Sequence, residues 1–136
     1  MAERTGGEFG LDVPMLLVTV RNQGGATVEI PQLGVDLILS LRLSLTHGSG
    51  KSESRHATLL RPWTVQLGML AAGQQQVQGL SPLSVERRDV PLAPGHYRAK
   101  VCVPPSREAP YPSRFTDQYG GLCSNEIGIE AKKRRR

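Results

Sequence analysis

Through most of this chain apolar side chains recur at every second position, the period of an extended strand with one buried and one wet face. The clearest case follows Pro94-Gly95, a turn signal because proline fixes φ and glycine accepts positive φ. Beyond that corner Tyr97, Ala99, Val101 and Val103 fall on one face, and His96, Arg98, Lys100 and Cys102 on the other. Leu37, Leu39, Leu41, Leu43 and Leu45 alternate in the same way with Ile38, Ser40, Arg42 and Ser44, which predicts a strand over 37–45. Leucine is a weaker strand former than valine, but a helix would scatter these leucines around its circumference.

Turn residues delimit the remaining elements. Met15 to Arg21 is a strand, and its near-continuous apolar run suggests packing on both sides at one end. Asn22-Gln23-Gly24-Gly25 is a turn, from which Ala26 to Ile30 returns as a short strand stopped by Pro31. His47 to Ser54, dense in glycine and serine, is a solvated hairpin tip, and extended structure resumes from His56 to Leu60. Trp63 shares period 2 with Val65, Leu67 and Met69 and is expected as a core anchor. Ala72-Gly73 turns the chain into a glutamine-rich edge strand ending at Leu80. Leu83 and Val85 give one more short extended piece, and Arg87-Arg88-Asp89 a charged connection. From Pro104 to Gly121 the chain reads as one long loop; Ser124 to Glu130 then closes the sheet, with Ile127 and Ile129 inward. About seven or eight strands and no convincing helix fit a two-sheet antiparallel sandwich.

Leu92-Ala93-Pro94-Gly95-His96-Tyr97 opening one strand, and Ser124-Asn125-Glu126-Ile127 opening the next, resemble the last two strands of bacterial immunoglobulin-like β-sandwich domains. Leu16 to Gly25 resembles the early signature of the same broad group, an apolar strand followed by Asn and Gly. That group includes the BsuPI-type proteinase inhibitors. Leu70-Ala71-Ala72-Gly73-Gln74 resembles the turn before its middle strand. The resemblance implies an all-β, immunoglobulin-like antiparallel two-sheet sandwich over 14–130, between a lead-in at 1–13 and a basic tail at 131–136. These motifs mostly encode turns, so they speak to fold rather than activity.

At 136 residues the chain is one domain with room for a real core. No apolar stretch reaches membrane-spanning length, and the first residues lack the basic-then-apolar order of a signal peptide. Lys132, Lys133, Arg134, Arg135 and Arg136 account for the whole formal net charge of +5, leaving the body formally neutral. That run can meet anionic lipid or nucleic acid through phosphate contacts. With a neutral body and no interleaved aromatics, a dedicated nucleic-acid module is the weaker case. Cys102 and Cys123 lie near the ends of the two strands expected to be last, where a disulfide is geometrically reasonable. Such a bridge would close about twenty residues, contribute about 3 kcal/mol and argue for an extracellular, periplasmic or envelope setting. Two reduced, partly buried thiols are the alternative.

No nucleophile motif, paired catalytic carboxylates or phosphate-cradling loop stands out, so the expectation is a protein without catalysis, cofactor, metal or small-molecule substrate. The histidines stand singly, and nothing in the spacing of Asp12, Asp36 and Asp117 demands a cation. The 104–121 loop is the best functional candidate, because long irregular loops in compact domains are often functional. Its Tyr111, Arg114, Phe115 and Tyr119 are residue types that anchor protein contacts. The competing expectation is that Phe115 and Tyr119 fold back to cover the open end of the sandwich. The leading function is a non-enzymatic module binding a protein partner through end loops; if the inhibitor likeness goes beyond fold, that partner is a proteinase. The alternatives are an accessory domain of a larger envelope protein and an anionic-polymer binder acting through the tail.

Overall fold

In the computed structural model, residues 11–59, 61–81 and 92–133 are described. Residues 1–10 of the lead-in, the piece at Leu83 and Val85, the connection Arg87 to Asp89, and Arg134 to Arg136 of the tail lie outside them. The elements run β1 (Leu11–Asp12), β2 (Leu16–Arg21), β3 (Val28–Pro31), α1 (Val35–Leu39), β4 (Arg42–His47), β5 (Ser52–His56), β6 (Leu67–Leu70), β7 (Gln75–Leu80), β8 (Gly95–Cys102), α2 (Arg114–Tyr119) and β9 (Ile127–Lys133). Strand takes 43% and helix 10%, with antiparallel pairing throughout, so the fold is an all-β sandwich.

One layer is a five-stranded sheet in the order β1-β9-β8-β4-β5. The other is a ribbon only two strands wide, in which β2 pairs β7 and β3 pairs β6. Leu16, Ile30, Leu70 and Leu80 of the ribbon join Leu43, Leu45, Ala99, Val101 and Ile129 of the sheet in one buried cluster. The Pro94-Gly95 corner forms as its residues predict. Gly95 has φ 134, and a Cβ there would lie 2.4 Å from the His47 ring, so only glycine fits. The buried Tyr97 turns its hydroxyl back to donate to the Ala93 carbonyl. That bond ties the start of β8 back to the corner before it.

The strand from Val28 does not return along β2. Leu16 to Arg21 oppose Leu80 to Gln75, and Val28 to Pro31 oppose Leu70 to Leu67, so the two segments run side by side for the whole ribbon. Between the ladders residues 23–27 and 71–72 leave the pairing. Asn22, only 6% exposed, closes this break. Its Nδ2 donates to the carbonyls of Ala26 (2.8 Å) and Leu70 (3.0 Å), and its Oδ1 accepts from Gly24 N–H (3.0 Å). Its backbone continues the ladder, donating to Gln74 O at 2.9 Å and accepting from Gly73 N–H at 2.8 Å.

The strand expected over 37–45 begins only at Arg42; Val35–Leu39 is a helical turn. All five leucines are nonetheless buried. The reason is topological, because β3 lies in the ribbon and β4 in the sheet. A straight strand cannot change layers across the roughly 10 Å between packed sheets. The Asp36 carboxylate fixes this crossing, accepting from Trp63 Nε1 (2.8 Å) and Gln66 N–H (3.2 Å). Trp63 is thus a half-buried strut rather than a core anchor, and Met69 faces solvent. At the other end of the chain, pairing continues past Glu130 through Lys132 and Lys133, which oppose Asp12 and Leu11.

Removing the buried amide in Asn22→Ala leaves two carbonyls and one N–H without their partner, an expected loss of about 2–3 kcal/mol in urea unfolding. Asn22→Asp, which keeps the acceptor but not the donors, should lose most of the same amount. A second expectation concerns His56, opposite Arg42 on the outer face of the sheet. Burial first, and the Arg42 charge second, hold its imidazole below the usual value. The folded state therefore binds this proton less readily than the unfolded chain. Its contribution to stability is full above the unfolded pKa of about 6.5 and is lost as pH falls through the depressed folded value. Urea midpoints measured below and above that value should show a shallower pH slope for His56→Gln than for the parent.

A candidate interaction groove beside an edge strand

Among the described residues β2 pairs with β7 alone. Backbone N–H and C=O groups of a strand point to both sides, so β2 presents a row of them away from its partner. Along its first half lies a hollow of about 170 Å³ bordered by Leu17, Ala99, Lys100, Asn125 and Ile127. Along its second half a larger one, about 570 Å³, reaches Val20, Leu41, Val103, Phe115, Tyr119 and Leu122. Val18, Thr19, Val101 and Ser124 border both, so the two are one groove running the length of β2.

One wall of the groove comes from the span expected to be loop. It contains α2, signalled in the sequence by Ser113 and Thr116 at capping-box spacing. Ser113 Oγ accepts from Phe115 N–H at 3.2 Å, and Thr116 Oγ1 accepts from Ser113 N–H at 2.9 Å. The turn places Phe115 in the core at 6% exposure, with Tyr119 tilted against it at a centroid distance of 5.5 Å. Gly120 ends α2 hard against Pro105, where a Cβ would come within 2.7 Å of the Pro105 Cα.

The rim opposite β2 is residues 122–124, laced to the end of β8. Val103 N–H donates to Leu122 O and Ser124 N–H to Val101 O, both at 2.8 Å. Between these bonds Cys102 and Cys123 form a disulfide. The bridge favoured by the sequence is therefore present, and it fixes one side of the groove.

The sequence-derived partner residues separate into two groups. Phe115 and Tyr119 meet at the groove, Phe115 as the core-covering residue of the competing expectation. Tyr111 instead turns inward and accepts from Leu59 N–H at 2.7 Å. Arg114 reaches both oxygens of Glu29, at 2.9 and 2.8 Å, on the exposed flank of β3. That hydrogen bond and the Arg114 charge hold the Glu29 carboxyl below its usual value against desolvation. Ile127, expected inward, is 44% exposed and borders the groove, because β9 begins where the ribbon no longer covers the sheet. Sequence reasoning missed the β2 edge. Its signal was the near-continuous apolar run from Met15 to Val20, whose outer row is exposed, with Leu17 at 72%.

Among the described residues no helix is long and apolar enough to cross a membrane. In the same residues no three His, Cys, Asp or Glu side chains gather to hold a metal ion. No protein family, curated protein sequence or solved structure matches the chain.

Replacing both cysteines by alanine should lower the unfolding free energy by about 3 kcal/mol, the entropy of the closed loop. Thiol titration of the native, unreduced protein should find no free thiol.

Proposed function

We propose that this protein is a non-catalytic recognition module that binds another protein through the groove between β2 and the 122–124 rim. The observation that carries the reading is a hollow along a strand whose outer edge has no partner among the described residues, mainly apolar in its larger part and mixed where Lys100, Ser124 and Asn125 border it. Exposed contiguous apolar surface on a folded domain marks interaction sites. Phe115 and Tyr119 keep the recognition role expected of the 104–121 span, as wall and floor of the groove rather than as a protruding loop. The likeness to BsuPI-type inhibitors would make a proteinase one partner class, whereas the groove itself asks only for an apolar segment. The disulfide supports a working place outside the reducing cytosol, in a secreted or envelope setting.

Display selection of random peptides on the folded domain tests this reading. Selected peptides should lose about tenfold or more in affinity for Leu122→Lys and Val20→Lys, since each puts a charge into an apolar contact. Ser54→Lys, outside the groove, should leave binding unchanged. Peptides indifferent to both groove variants would remove the proposal.

A further inference from the structure

Resting on that reading, we infer that the partner enters as an added β-strand. An extended segment, apolar at alternate positions and acidic at its ends, pairs with the open edge of β2.

The backbone sets the first requirement. Buried N–H and C=O groups need partners, and a ligand that filled the groove without pairing β2 would strand the edge groups it covered. A helix has no free backbone groups to offer along its length; an extended chain offers one row at strand spacing. Side chains set the second. Val18 and Val20 line the groove on the inner side of β2. Met15 and Leu17, with Val77 across on β7, form an exposed apolar row on the outer side. An added strand alternates its side chains between these same two sides, so both of its faces meet apolar surface.

Charge sets the ends. Arg21 stands at one end of the groove, and Lys100 borders its smaller hollow from β8, beside Val101. Among the described residues no carboxylate borders either hollow. Lys100 has no ion pair with a described residue, and Arg21 donates only to the neutral Gln75 oxygen, at 3.0 Å. Acidic residues flanking an apolar core complement this arrangement. A second copy of the chain does not: its β2 edge, Leu16 to Arg21, brings a further arginine and no carboxylate. The edge also lacks the usual guards of a free strand, having no proline, no bulge and no charge before Arg21.

The probe is a synthetic peptide of about eight residues, slightly longer than β2, with Val or Ile at alternate positions, Thr between them and Glu at both ends. Its control has the same composition with the alternation scrambled. Fluorescence anisotropy should show the alternating peptide binding about tenfold or more tightly than the scrambled one. N-methylating every second residue should abolish binding in one phase and spare it in the other, because only alternate N–H groups face β2. Amide exchange in β2 should slow when the peptide is bound. Equal binding of both peptides, or tolerance of both N-methylation phases, would overturn strand addition. In that case Leu122→Lys decides separately whether the groove still binds. Uniform protection of β2 amides in the free protein, or sedimentation as a dimer, would also overturn the inference, since the edge would already be occupied.

Discussion

A single buried amide holds the ribbon layer in one piece. The chain changes register between the two ladders of the ribbon, and the residues that leave the pairing expose backbone groups inside the molecule. Asn22 is long enough to reach across the break and carries both donors and an acceptor on one planar group. It satisfies a carbonyl on its own strand, a carbonyl on the opposite strand and an amide in the bulge. A hydrophobic side chain could fill that space, but it would leave these groups unpaired in a low-dielectric setting, where each costs about 1–3 kcal/mol. Everything that depends on the position of β2, the groove included, depends on this junction.

The groove follows from a mismatch of widths. A two-stranded ribbon cannot cover a five-stranded sheet, so the inner face of the larger layer extends past it. On the β5 side that face carries Arg55, wholly buried and so covered, with its Nε on Glu53 at 2.6 Å. On the β2 side it is apolar, and α2 and the disulfide-linked rim turn it into a bounded hollow. The two flanks thus solve the same geometric problem with opposite chemistry.

Much of this was legible in the sequence, and the limits of legibility are physical. Alternation from Tyr97 to Val103 and the Pro94-Gly95 corner gave β8 and its tyrosine, because both are local. Cys102 and Cys123 were legible as a pair once β8 and β9 were taken as neighbours. The leucines from 37 to 45 gave correct burial but the wrong local conformation, since period 2 cannot report that a chain must cross between layers. Ser113 and Thr116 could have revealed α2, but the prolines before them masked the signal. Pairing was least legible. Asn22-Gln23-Gly24-Gly25 has the composition of a hairpin turn, and nothing local distinguishes a turn that reverses a strand from a bulge that lets it continue.

The outer edge of β2, without a partner among the described residues, has a cost as well as a use. Leu16-Leu17-Val18-Thr19-Val20 is short, uncharged, rich in β-branched and aliphatic residues, and free of proline and glycine. Those are the properties of segments that stack in register into cross-β fibrils through dry side-chain interfaces. In the native fold this segment is already extended, so no unfolding is needed to present it. An occupant of the groove would therefore also act as a shield, covering a segment whose exposed outer row has the composition of such stacks.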